Sequence, residues 1–102
     1  MTEVLETHGP QVAELCRQVG ARRLDVFGSA ARGKFDPESS DLDFLVELDA
    51  LPPARYASAF FALKEGLEKL FGRPVDLGTE SGLGNPYFRE RVQAERRTLY
   101  AR

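Results

Sequence analysis

The chain lacks tryptophan and carries one cysteine, one methionine and one histidine among its 102 residues. A single cysteine, Cys16, excludes an intramolecular disulfide, so nothing argues for an oxidising compartment and a cytoplasmic setting is the expectation. No apolar run approaches the ~20 residues needed to span a bilayer, and no membrane association is expected. The first residues, Met1-Thr2-Glu3-Val4-Leu5-Glu6, are acidic and lack the basic-then-apolar order of a signal peptide. Basic residues show no excess either. The 14 Lys and Arg against 16 Asp and Glu leave a net charge of -2. That balance does not favour direct nucleic-acid binding, which draws on a basic surplus. The length suits one domain over residues 1–102, and a 42% hydrophobic content suffices for one modest core.

The apolar pattern alternates between helical and strand periods. Val12, Leu15, Cys16 and Val19 fall on one helical face, and Gly20 is a natural stop. Residues 23–27 read as a strand ended by Gly28. Ser29 then caps a short predicted helix that runs to Gly33, and a polar loop follows. Residues 41–48 read as a second strand, with Leu42, Phe44, Val46 and Leu48 on one face. Tyr56, Phe60, Leu63, Leu67, Leu70 and Phe71 keep helical spacing up to Gly72. Residues 74–77 make a third strand candidate, and residues 80–86 a mobile, glycine-containing loop. Asn85 and Pro86 mark the start of a last helix that places Phe88, Val92 and Leu99 inward. Arg89, Arg91, Arg96, Arg97 and Arg102 would then form its solvated face, or bind an acidic partner or RNA. His8 is expected at the surface and Cys16 in the core. The order is helix, strand, short helix, strand, helix, strand, helix, which predicts an α/β fold around a small sheet.

Two short stretches carry chemistry. The first is Gly28-Ser29-Ala30-Ala31-Arg32-Gly33. A glycine at a strand end lets a ligand approach the backbone, and the helix start that follows offers unpaired N–H groups to an anion. Ser29 adds a hydroxyl for a phosphate oxygen, and Gly33 lets the chain turn away. Arg32 either reaches a phosphate or sits in solvent. A plain strand-to-helix turn with a serine cap would read the same way. The second stretch is Ser40-Asp41-Leu42-Asp43. Residues two apart on a strand face one side, so Asp41 and Asp43 would repel each other unless a cation or hydrogen bonds compensate. Carboxylates of this kind suit Mg²⁺ shared with substrate phosphates, and Ser40 can orient one of them. Solvated acids at a strand mouth are the alternative. Together the two stretches imply a nucleoside triphosphate held against Mg²⁺.

Asp76 is a lone acid in Pro74-Val75-Asp76-Leu77. An unpaired charge in an apolar strand is costly to bury. If its strand lies beside that of Asp43, Asp76 joins the cluster as a general base or as ligand of a second metal. Otherwise it is an edge-strand acid facing water.

Phe27-Gly28-Ser29-Ala30-Ala31-Arg32-Gly33, with Ser40-Asp41-Leu42-Asp43-Phe44-Leu45-Val46, resembles the signature of the DNA polymerase β-like nucleotidyltransferase superfamily. The small size and Val75-Asp76-Leu77 make the chain similar to the minimal nucleotidyltransferases (MNT). The resemblance implies the nucleotidyltransferase fold, a small mixed β-sheet flanked by helices. It implies that Gly28 and Ser29 hold the triphosphate, with Arg32, Gly33 and Ser40 as the candidate nucleotide-binding residues beside them. Asp41, Asp43 and Asp76 would bind Mg²⁺ and form the catalytic triad, with ATP as substrate. It further implies transfer of AMP to a protein hydroxyl, a tyrosine of a cognate HEPN toxin, with the chain acting as antitoxin in a toxin–antitoxin pair. A homo- or hetero-oligomer fits that setting. Two other readings stay open: a non-catalytic module that blocks the HEPN partner sterically, and a nucleotide sensor that binds ATP without transferring it.

Overall fold

The computed structural model of the chain describes residues 7–27, 42–79 and 84–102. Within them run α1 (Gly9–Val19), β1 (Ala21–Phe27), β2 (Leu42–Leu48), α2 (Pro53–Phe71), β3 (Val75–Gly78), α3 (Pro86–Glu95) and β4 (Arg97–Ala101). The predicted short helix after Ser29, the loop leading to Ser40 and most of the glycine loop before Asn85 lie outside the described residues.

The four strands form one mixed sheet in the order β3-β2-β1-β4. β1 is antiparallel to both β2 and β4, while β2 and β3 run parallel. Parallel neighbours need a long crossover, and α2 supplies it.

Each helix forms for a local reason. α1 and α2 carry proline in their first turn and end at Gly20 and Gly72, whose φ angles of 75° and 67° are left-handed. That region strains residues with a Cβ, which is why glycine stands at both stops. The Asn85 side chain accepts from the N–H groups of Tyr87 and Phe88 and caps α3, with Pro86 at the first position.

The pleat sorts the sheet into two faces. Leu24 and Val26, with Leu42, Phe44, Val46 and Leu48 and then Val75 and Leu77, pack against Val12 and Cys16 of α1 and Leu63 and Leu67 of α2. The two helices meet closely at Gly66, where a Cβ would stand 2.7 Å from a methyl of Leu15. On the opposite face a smaller cluster joins Leu45, Val92 and half-buried Phe27, so α3 covers that side. This explains why β2 departs from strict alternation at Leu45. His8 is half-buried rather than at the surface, its ring 5.2 Å from that of Phe71.

The C-terminal segment corrects the predicted helix. α3 stops at Glu95, Arg96 takes extended backbone angles, and Arg97–Ala101 pairs with β1. Leu99 therefore lies on a strand, and the five arginines do not share one helix. The free edge of β1 is the cause. Its N–H and C=O groups need partners, and β4 supplies them from Arg23↔Ala101 to Val26↔Arg97. The Arg102 N–H extends the tie to the Arg22 carbonyl at 2.8 Å.

Candidate active site

β1 ends, and β2 and β3 begin, at one end of the sheet. Asp43 is the second residue of β2 and Asp76 the second of β3. The parallel register aligns them directly, Asp43↔Asp76, while the antiparallel register sets Phe27 opposite Asp43. Flanking partners Leu42↔Val75 and Phe44↔Leu77 are buried on the core face. The two acids therefore occupy the other face, the one shared with α3. Asp43 is half-buried and Asp76 exposed. Asp76 thus stands on an edge strand and beside Asp43 at once.

Two carboxylates on one rung repel in the absence of a counter-charge. Their hard oxygen donors, open to solvent on one side, fit a divalent cation shared with phosphate oxygens. Asp41, just before β2, lies outside the described residues, as do Gly28, Ser29, Arg32, Gly33 and Ser40. Among the described residues no three His, Cys, Asp or Glu side chains gather as a metal cluster. The described part of the site is the Asp43–Asp76 pair.

The same face holds an acid that the sequence pattern did not single out. Asp25 is the one fully buried charged residue among those described. Arg23 Nε donates to its Oδ1 at 3.0 Å, and Arg96 Nε donates to its Oδ2. Arg23 also reaches the Thr98 hydroxyl at 3.0 Å, and Arg96 Nη1 the Gln93 side chain at 2.9 Å. The signal was an acid inside the apolar run Leu24-Asp25-Val26-Phe27. Its partner Arg96 is 71 positions away, beyond any local pattern. A cleft of about 250 Å³ beside Arg23 and Arg96 reaches Glu47, Tyr56 and Thr79 and includes neither Asp43 nor Asp76.

Phe88, in the first turn of α3, reaches the cross-strand partner of Asp43. The Phe88 ring meets that of Phe27 edge-on at 6.2 Å. Tyr87 and Phe88 are both exposed.

Residues 11–99 match the family model of the nucleotidyltransferase domain. The chain belongs to the nucleotidyltransferase domain family. It is a nucleotidyltransferase, and enzymes of this family generally use a divalent metal with ATP. It is 36% identical over 72% of its length to MJ1379 of Methanocaldococcus jannaschii, named as a protein adenylyltransferase, and covers 72% of that protein. It is 41% identical to the protein adenylyltransferase MntA of Thermococcus cleftensis, over 69% of this chain and 67% of that one. A solved structure described as a minimal nucleotidyltransferase superposes with a TM-score of 0.73 at 42% identity, covering 93% of this chain and 92% of that one. An MNT antitoxin in complex with the tri-AMPylated Shewanella oneidensis HEPN toxin superposes with a TM-score of 0.62, over 96% of this chain and 73% of that one. At its 18% identity that likeness speaks for the fold alone. The mixed four-stranded sheet with helices on both faces is the nucleotidyltransferase fold expected from the motifs.

Proposed function

We propose that this chain transfers AMP from ATP to a protein hydroxyl, that of a tyrosine on a cognate HEPN toxin, and so acts as an antitoxin. One observation supports the reading above the others: the Asp43↔Asp76 alignment on the face of the sheet shared with α3. The names of the relatives support the choice of a protein as acceptor. Residues 1–102 act as one nucleotidyltransferase domain in the cytoplasm, and the cation is Mg²⁺.

Asp41, Asp43 and Asp76 would hold the cation. The chemistry such a cation would supply is to offset charge on the phosphates and to make an acceptor hydroxyl easier to deprotonate. Backbone N–H groups at Gly28 and Ser29, with the Ser29 hydroxyl, would hold the triphosphate. Gly33 would let the chain turn away, Arg32 would serve a phosphate oxygen, and Ser40 would orient an acid. Asp76, the more exposed of the pair, accepts the proton of the incoming hydroxyl. The acceptor oxygen bonds to the α-phosphorus as the bond to pyrophosphate breaks. Positioning and charge stabilisation carry the rate.

The test is an intact-mass spectrum of the neighbouring gene's HEPN protein after incubation with this chain, ATP and Mg²⁺. An Asp41→Asn/Asp43→Asn chain serves as control. A gain of whole adenylyl units that vanishes in the control supports transfer. A stable complex without mass gain refutes it in favour of steric neutralisation, and bound ATP without product or complex in favour of a nucleotide sensor.

A further inference from the structure

The structure assigns to the buried Asp25–Arg96 pair a positioning role: it seats α3 on the face that carries Asp43, and so sets the surroundings of the acid pair. The inference rests on the functional reading above only for its kinetic arm.

Among the described residues, three contacts join α3 to this face. Val92 is buried against Leu45, the ring of Phe88 meets Phe27, and Arg96, at the C-terminal end of α3, donates to Asp25. Their positions on the sheet matter. Phe27 is the cross-strand partner of Asp43, and Leu45 is two residues beyond it on the same face. Asp25 is the cross-strand partner of Leu45. The helix thus rests on the three sheet positions that surround Asp43 toward β1. Two of the contacts are apolar and non-directional. The third is a charge-assisted hydrogen bond to a fully buried carboxylate, directional where the other two are not, and it ties the helix end to one position of the sheet.

Asp25 also joins β4 to this arrangement. Arg23 bridges Asp25 and Thr98, so the turn from α3 into β4 at Arg96 and the start of that strand meet at one carboxylate. A burial of this kind is costly unless every oxygen is engaged. Both oxygens are engaged, and no buried side-chain nitrogen or oxygen among the described residues lacks a partner. Loosening this carboxylate should therefore let α3 shift over Phe27, the cross-strand partner of Asp43.

The experiment compares the full chain with Arg96→Met, which keeps length and removes the donors, and Arg96→Lys, which restores a cation. All are studied well below their melting temperatures, with far-UV circular dichroism confirming the fold. Amide exchange is followed by mass spectrometry, and kcat and KM are measured for transfer. In Arg96→Met, exchange should quicken in residues 88–92 and in residues 27 and 43–45, with α1 and α2 unchanged. The kcat should fall roughly ten- to a hundredfold, as for other residues that orient a site, while the KM for ATP is kept. Arg96→Lys should recover part of both effects. A lower melting temperature with wild-type exchange around Asp43 and wild-type kcat would show a purely structural pair and overturn the inference. If the wild-type chain itself transfers nothing, the functional reading fails, and the exchange in residues 27 and 43–45 still decides this one.

Discussion

Asp43 and Asp76 share one rung of the parallel β2–β3 ladder. Like charges set directly opposite in a sheet are unfavourable unless compensated, and a bound cation would offset the repulsion. Asp76→Asn should leave the melting temperature in EDTA unchanged or raise it, and Asp43→Asn serves as its companion variant. Mg²⁺ should raise the melting temperature of the wild-type chain and lose that effect in either variant. Adenylyl transfer should fall by on the order of a hundredfold or more, several kcal/mol of lost charge stabilisation. Differential scanning fluorimetry with and without Mg²⁺, beside the mass assay, checks both halves.

Asp25→Ala leaves the largely buried guanidinium of Arg96 without its carboxylate. Breaking a buried pair from one side costs about 3–5 kcal/mol. That is a large share of the ~5–15 kcal/mol that holds a domain together. The urea midpoint should drop sharply for Asp25→Ala and less for Asp25→Asn, which keeps an acceptor. An Asp25→Ala/Arg96→Met chain should lose less than the sum of its single variants, because the two residues are coupled.

Asn85 accepts from the N–H groups of Tyr87 at 2.9 Å and Phe88 at 3.3 Å. Removing such a cap costs about 1 kcal/mol. For a chain of this length Asn85→Ala should lower the melting temperature by roughly 4–8 °C. Early exchange of the Phe88 amide should accompany the loss, since its N–H donates to the Asn85 side chain.

Burial raises the Cys16 thiol from 9.0 to about 11. Below the lower value the thiol is protonated in folded and unfolded chains alike, and its contribution to stability is fully present. As pH rises through that window the unfolded chain ionises first, binds fewer protons than the folded one, and stability falls. Urea midpoints at pH 8 and above should decline with pH in the wild-type chain and less steeply in Cys16→Ala. At neutral pH a thiol reagent should modify Cys16 only as fast as the chain opens.

Asp49 has the opposite sign. The hydrogen bond from Arg102 holds its carboxyl below the ordinary range. That contribution is present at neutral pH and disappears as pH falls through the lowered value. Both groups are exposed, so Arg102→Gln should change the acid limb of a stability profile only slightly.

Local pattern was enough for α1 and α2 with their glycine stops and for the start of α3. The spacing of Val12, Leu15, Cys16 and Val19 lies within two turns, and the stops at Gly20 and Gly72 depend on one residue's backbone freedom. The cap at Asn85 and the alternation in β2 are equally short-ranged, and so is the motif that pointed to the family. Distant pairing was another matter. The segment after Glu95 continues a helical apolar pattern on paper. Only the open edge of β1 makes Arg97–Ala101 a strand, and an edge exists only once the sheet is assembled. The Asp43↔Asp76 rung depends on register between strands joined through α2, which the spacing of either acid leaves undetermined. The buried Asp25 with Arg23 and Arg96 is the clearest case. An acid in an apolar run signals that a partner must exist, because an unpaired buried charge is too costly. Which arginine answers it is decided by where α3 ends against the sheet, and that is a property of the folded chain alone.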